Sequence, residues 1–134
     1  MSNCKVVSVV ITTKNEEKNI GRCLDSILGQ TYPSIEVIVV DNNSTDKTKE
    51  IAKNKGVSVL NYGPERSAQR NFGMIDNSTG EYVMYIDADM LLTPNMILSC
   101  VEFIEKRNDL LAIYIPEVVL GRSLFCRIRR FERK

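Results

Sequence analysis

Short β-branched runs alternate with amphipathic stretches along the chain, and that alternation restricts the fold more than any other feature. Residues 6–12 form a run that is β-branched at every position but Ser8, of the kind that survives burial on both faces of a sheet. Residues 17–28 then carry Ile20, Cys23, Leu24, Ile27 and Leu28 at helical spacing, with Gly29 as a stop. Residues 35–40 give a second strand. Asn43-Ser-Thr-Asp46 opens a helix running to about Lys55 and ended by Gly56. A third, shorter strand covers residues 57–60, a helix residues 64–74, and a fourth strand residues 82–86. Thr93 and Pro94 read as the N-cap and first position of a helix with Ile97, Val101 and Ile104 on one side. Residues 110–115 read as a fifth strand and residues 121–134 as a helical tail.

Strand and helix in alternation imply an α/β fold: a mostly parallel, twisted sheet with right-handed crossovers placing helices on both faces. The expected strand order at the core is 3-2-1-4. With 134 residues, the chain reads as one domain, residues 1–134, with a basic amphipathic tail over residues 119–134. No apolar run approaches the length needed to span a bilayer, and no signal peptide is visible, so the expected location is cytoplasmic. The net charge of +1 gives no global bias toward nucleic acid.

Histidine is absent, and Cys4, Cys23, Cys100 and Cys126 form no Cys-x-x-Cys pair. A zinc centre and a Ser-His-Asp or Cys-His engine are therefore disfavoured. General-base chemistry falls to Asp and Glu, with Lys or Tyr as outsiders.

In open parallel sheets, ligands bind beyond the carboxyl ends of the strands. Thr12-Thr-Lys-Asn-Glu-Glu17 follows the first strand, Asp41-Asn-Asn-Ser-Thr-Asp46 the second, and Asp87-Ala-Asp89 the fourth. Each alone reads equally well as an acidic or Asx-rich turn. Together, in the order 3-2-1-4, they would crowd six carboxylates onto one rim. On extended backbone Asp87 and Asp89 point the same way and could offer two anionic groups to one hard cation.

These segments resemble a known family. Val9-Val-Ile-Thr-Thr-Lys-Asn-Glu-Glu17, Val39-Val-Asp-Asn-Asn-Ser-Thr-Asp46, Ala68-Gln-Arg-Asn71 and Gly80-Glu-Tyr-Val-Met-Tyr-Ile-Asp-Ala-Asp89 are similar, in order, to the four signatures of family 2 glycosyltransferases. Those are inverting enzymes with the GT-A nucleotide-sugar-binding fold. The resemblance implies a UDP- or GDP-sugar donor held with Mg²⁺ or Mn²⁺. Thr12, Asn15 and Glu16 would line the base and ribose pocket, with Asn43 beside it. Asp41 would contact the base and Arg70 would help hold the donor. Asp89 would touch the metal, with Asp87 near the ribose or a metal-bound water.

Inverting transfer also needs a base for the acceptor hydroxyl, and in the family that carboxylate lies well beyond the metal motif. Only residues 90–134 follow here, and Glu117, in Ile115-Pro-Glu117, is the candidate best placed to face a cleft. The shortened acceptor-side half leaves a second reading open, a non-catalytic nucleotide-sugar-binding or assembly module. A nucleotidyltransferase is weaker, because no Gly-rich phosphate loop follows the first strand. The acceptor is not identified, though the family often uses lipid-linked or polysaccharide acceptors. In the tail, Arg122, Arg127, Arg129, Arg130, Arg133 and Lys134 alternate with Leu124, Phe125, Ile128 and Phe131. That pattern fits packing on the sheet with snorkelling cations, a homodimer contact, or peripheral contact with the inner membrane surface.

Overall fold

β1 (Val7–Thr13) is the centre of the molecule and is buried at every position. The computed structural model describes residues 3–118 and 120. Two further strands flank β1 in parallel, β2 (Ile35–Asp41) on one side and β4 (Tyr82–Asp87) on the other, while β3 (Ser58–Asn61) extends beyond β2. The order β3-β2-β1-β4 is the one expected from the alternation of elements. Val9, Val10, Ile11, Val39 and Val40 are completely buried. Each such side chain contributes about 1.5–3 kcal/mol over its exposed state.

The helices are α1 (Ile20–Leu28), α2 (Thr48–Asn54), α3 (Arg66–Asn71) and α4 (Met96–Glu105), with a π-helical segment at Phe72–Asp76 continuing α3. α1 buries Ile20, Cys23, Leu24 and Ile27, the stripe read from the sequence. α1 and α2 serve crossovers that run from β1 toward β3, whereas α3 serves the return from β3 to β4. Right-handedness therefore places α3 on the opposite face from the other two. On that face Phe72 and Met74 pack against Val10, Ile38 and Val40.

α2 begins at Thr48, later than the sequence suggests. The Asp41 carboxylate accepts from the Ser44 backbone N–H (2.8 Å) and hydroxyl (2.5 Å), and Asp46 accepts from the Thr48 N–H (2.9 Å). Asx side chains that mimic a backbone turn compete with the helix and postpone its start.

The chain divides into two compact units, Met1–Ser99 and Cys100–Lys134. In the second, the end of α4 is followed by a bidentate ion pair from Arg107 to Asp109, at 3.0 Å for both contacts. The expected fifth strand over residues 110–115 is not formed. A strand exists through its ladder; among the described residues this run pairs with no other strand, and Leu111 and Tyr114 are exposed. The helix read over residues 121–134 lies outside the described residues. Among those described, no helix is long and apolar enough to cross a membrane.

Candidate active site

The register of the sheet brings the polar segments together. Asp87 ends β4 opposite Thr12 of β1, and Asp41 ends β2 opposite Thr13. The two acidic strand ends thus flank β1 on the same rim. Between them opens a cleft of ≈ 230 Å³, lined by Thr12, Thr13, Lys14, Glu16, Asn42, Pro64, Arg66, Gln69, Asp87, Ala88 and Asp89.

Asp87 is fixed from three sides. Its Oδ1 accepts from the Thr12 hydroxyl (3.0 Å) and from Arg70 Nη2 (3.2 Å), and its Oδ2 from Arg66 Nη1 (3.3 Å). Arg70 also lies over the Tyr85 ring, 4.4 Å from its centroid, an orientation that holds a guanidinium in place. Its Nε is buried with no hydrogen-bond partner. Asp89, two residues on, is exposed and makes no hydrogen bond or ion pair among the described residues. The pair therefore divides into an anchored carboxylate and a free one.

Below them sits Cys23, fully buried, with Sγ 3.8 Å from the Asp87 carbonyl. Burial, reinforced by the negative charges of Asp89 and Asp87, pushes its thiol up to about 12. It is a neutral spacer under the acid pair, not a thiolate ligand.

The donor set fits a hard divalent ion in one specific way. No group of three or more His, Cys, Asp or Glu side chains that could hold a metal occurs among the described residues. Mg²⁺-type sites commonly use one or two carboxylates and complete their shell with water and substrate phosphates. Free Asp89, with anchored Asp87 beside it, supplies that minimal set.

The remaining sequence candidates take different positions. Thr12 and Glu16 line the cleft. Asn15 and Asn43 instead adopt left-handed backbone, φ 52 and 48, in the turns around the rim. The Asn15 carboxamide oxygen accepts from the Thr45 N–H (2.9 Å), which ties the loop after β1 to the loop after β2. Asp41 is completely buried, spends its carboxylate on Ser44, and is not among the cleft-lining residues. Glu117 lies exposed in the irregular stretch of the second unit.

Among the polar cleft residues, the sequence reading gave no site role to Thr13, Lys14, Asn42, Arg66 or Gln69. Asn42 sits inside the Asp41–Asp46 cluster, and its Nδ2 donates to the Pro64 carbonyl (2.8 Å). Gln69 carries a detectable signal. It lies three and four residues before Phe72 and Gly73, on the sheet-facing side, where a polar residue demands a reason.

Comparison with known proteins decides what this rim belongs to. A family profile described as "Glycosyl transferase family 2" matches residues 8–131. The chain belongs to glycosyl transferase family 2. An uncharacterized glycosyltransferase of Haemophilus influenzae is 32% identical over 125 residues, covering 84% of this chain and 37% of that protein. The S. aureus TarS 1–349 structure in complex with UDP superimposes with a TM-score of 0.69 and 25% identity, covering 87% of this chain and 40% of that one. The mannosyltransferase PcManGT of Pyrobaculum calidifontis, in complex with GDP-Man and Mn²⁺, gives a TM-score of 0.63 and 29% identity over 73% of this chain and 31% of that one. The chain thus spans 37% of the length of its Haemophilus relative. Its parallel sheet in the order 3-2-1-4 is the GT-A fold of its structural neighbours.

Proposed function

We propose that this chain binds a nucleotide-diphosphate sugar, a UDP- or GDP-sugar, together with Mg²⁺ or Mn²⁺, and serves transfer of the sugar to an acceptor hydroxyl with inversion. The observation that carries the reading is the split acid pair on the cleft rim: Asp87 anchored by Thr12, Arg66 and Arg70, and Asp89 free. Relatives crystallised with UDP, or with GDP-Man and Mn²⁺, support the ligand class.

Each residue then has a physical task. Asp89 would hold the ion, and Asp87 would orient the ribose or a water on the ion. When bound, a divalent ion neutralises the charge that develops on a departing nucleoside diphosphate. Arg66, exposed in the cleft lining like Lys14, is placed to share that charge, exchanging a 3.3 Å contact with Asp87 for a phosphate oxygen. Arg70, held over Tyr85, keeps Asp87 oriented. Thr12 and Glu16 face the nucleoside end. Glu117 is the carboxylate assigned to deprotonate the acceptor, which could be lipid-linked or a polysaccharide.

Isothermal titration of UDP- and GDP-sugars, with and without Mn²⁺, tests the reading. Metal-dependent binding of at least one is expected. A folded protein that binds neither, with or without the ion, sinks it.

A further inference from the structure

The run that follows α4 in the second unit leaves large apolar side chains in water. Leu111 is fully exposed, Tyr114 is 82% exposed, and Val118 and Leu120 are each 72% exposed. None of them lines the cleft. A lone exposed apolar residue is ordinary, but Leu111, Tyr114, Val118 and Leu120 follow one another along a short run that joins no ladder among the described residues.

Charge narrows what can cover them. The net charge of +1 for the whole chain hides a local bias. Residues 118–134 hold Arg122, Arg127, Arg129, Arg130, Arg133 and Lys134 against one carboxylate, Glu132, so the rest of the chain is net negative. In sequence these cations alternate with Leu124, Phe125, Ile128 and Phe131. Exposed apolar side chains and concentrated positive charge thus occupy one continuous stretch. A nucleic acid would answer the cations but offer nothing to leucine, valine and isoleucine. A second copy of the same stretch would answer the apolar groups but set its cations against like charge. An anionic bilayer answers both, with acyl chains for the apolar side chains and charged headgroups for the arginines.

The backbone sets the depth of such a contact. Residues 110–115 pair with no strand among the described residues, so their main-chain groups depend on water, which the hydrocarbon core lacks. Side chains can cross the boundary while the main chain stays among the headgroups. Tyr114 suits that layer, with an apolar ring and a hydroxyl that remains wet. Long cationic side chains reach headgroups from the same level.

We propose that the stretch from Leu111 onward is a peripheral docking surface for an anionic lipid bilayer, in which Leu111, Tyr114, Val118 and Leu120 enter the boundary between headgroups and acyl chains and the cations of residues 122–134 supply the attraction. The nucleotide-sugar reading is independent of this surface, and each can fail without the other.

The test is flotation of the full 134-residue chain with vesicles of phosphatidylcholine, alone or with about 30% phosphatidylglycerol, at about 0.1 M and 0.5 M salt. Partitioning should be about tenfold or more stronger on the anionic vesicles and should fall by a similar factor at the higher salt. The double variant Leu111→Ser/Tyr114→Ser should lose about tenfold on anionic vesicles, and its urea melt should match the parent because both side chains are exposed. Arg129→Gln/Arg130→Gln should lose about tenfold on anionic vesicles and little on neutral ones. No flotation of the folded parent with anionic vesicles overturns the proposal, as does equal flotation with both vesicle types. Undiminished flotation of the folded Leu111→Ser/Tyr114→Ser variant also overturns it, since the attraction would then be purely electrostatic, as for a nucleic-acid surface. Concentration-dependent self-association that this variant abolishes, without vesicle binding by the parent, assigns the surface to a second copy instead.

Discussion

The two ends of the same parallel sheet carry similar chemistry and treat it in opposite ways. At the amino end of the strands, Glu36 of β2 is saturated from within. Its carboxylate accepts from the Ser8 hydroxyl, the Thr79 N–H (2.9 Å) and the Thr79 hydroxyl (3.1 Å), while Ser8 Oγ accepts from the Gly80 N–H (2.9 Å). At the carboxyl end, Asp89 has no partner among the described residues, and Gln69 Oε1 accepts nothing. Both rims are rich in acids, hydroxyls and amides. The amino rim is closed and therefore structural. The carboxyl rim leaves valences open around a cleft, and open valences in a folded protein call for a ligand.

The sharpest way to break that contrast is Asp89→Asn. If the carboxyl rim exists for a ligand, metal-dependent nucleotide binding should fall by ~100-fold or more, since a bound ion supplies several kcal/mol. Stability should hold within about 0.5 kcal/mol, because the exposed carboxylate supports no internal contact. Titration calorimetry beside a urea melt reads both. A large loss of stability with nucleotide binding intact would reverse the assignment of the two rims.

How far this contrast was legible in the sequence follows from the physics of each part. β1, β2 and β4 were readable because runs dominated by β-branched and aromatic residues leave few alternatives, and the strand order followed from the crossovers. The fifth strand misled because an apolar run over residues 110–115 records a preference, whereas a strand needs a partner ladder. At the site, Asp87, Asp89, Thr12 and Glu16 announced themselves by type and position. Asn15 and Asn43 carried the same signal for a different reason, since Asn tolerates the left-handed backbone that the rim turns require. Gln69 showed only as a polar residue on a sheet-facing side; its partners are two carbonyls far away in sequence, which only the folded sheet brings to its amide.

A smaller effect, in stability alone, should come from the closed rim. Gly80 lies so near β1 that a Cβ there would meet Ser8 Oγ at 2.6 Å, the Val6 carbonyl oxygen at 2.7 Å and the Ser8 nitrogen at 2.8 Å. Two of those atoms are backbone and cannot swing aside. Gly80→Ala should therefore cost about 1–3 kcal/mol, as overpacking does, and lower the melting midpoint by several degrees. The folded fraction should bind nucleotide with unchanged affinity. A selective loss of binding at unchanged stability would show that the amino rim communicates with the cleft.

The smallest effect separates the rims by pH. Glu36 titrates below its ordinary value of 4.5: burial alone would raise it, but hydrogen bonds from Ser8 and Thr79 outweigh that and favour the ionised form. A carboxyl group depressed on folding contributes its stability in full above its unfolded value, and the contribution disappears as pH falls through the folded value. Urea melts between about pH 3 and 6 should show the parent losing stability on the acid side of 4.5. Glu36→Gln should start about 1 kcal/mol lower at neutral pH, having lost a charge-assisted acceptor, and then fall less steeply with acid. An equal slope in the parent and Glu36→Gln would mean that the clamp holds without its charge. The two rims would then differ in exposure to ligand but not in the work their carboxylates do for the fold.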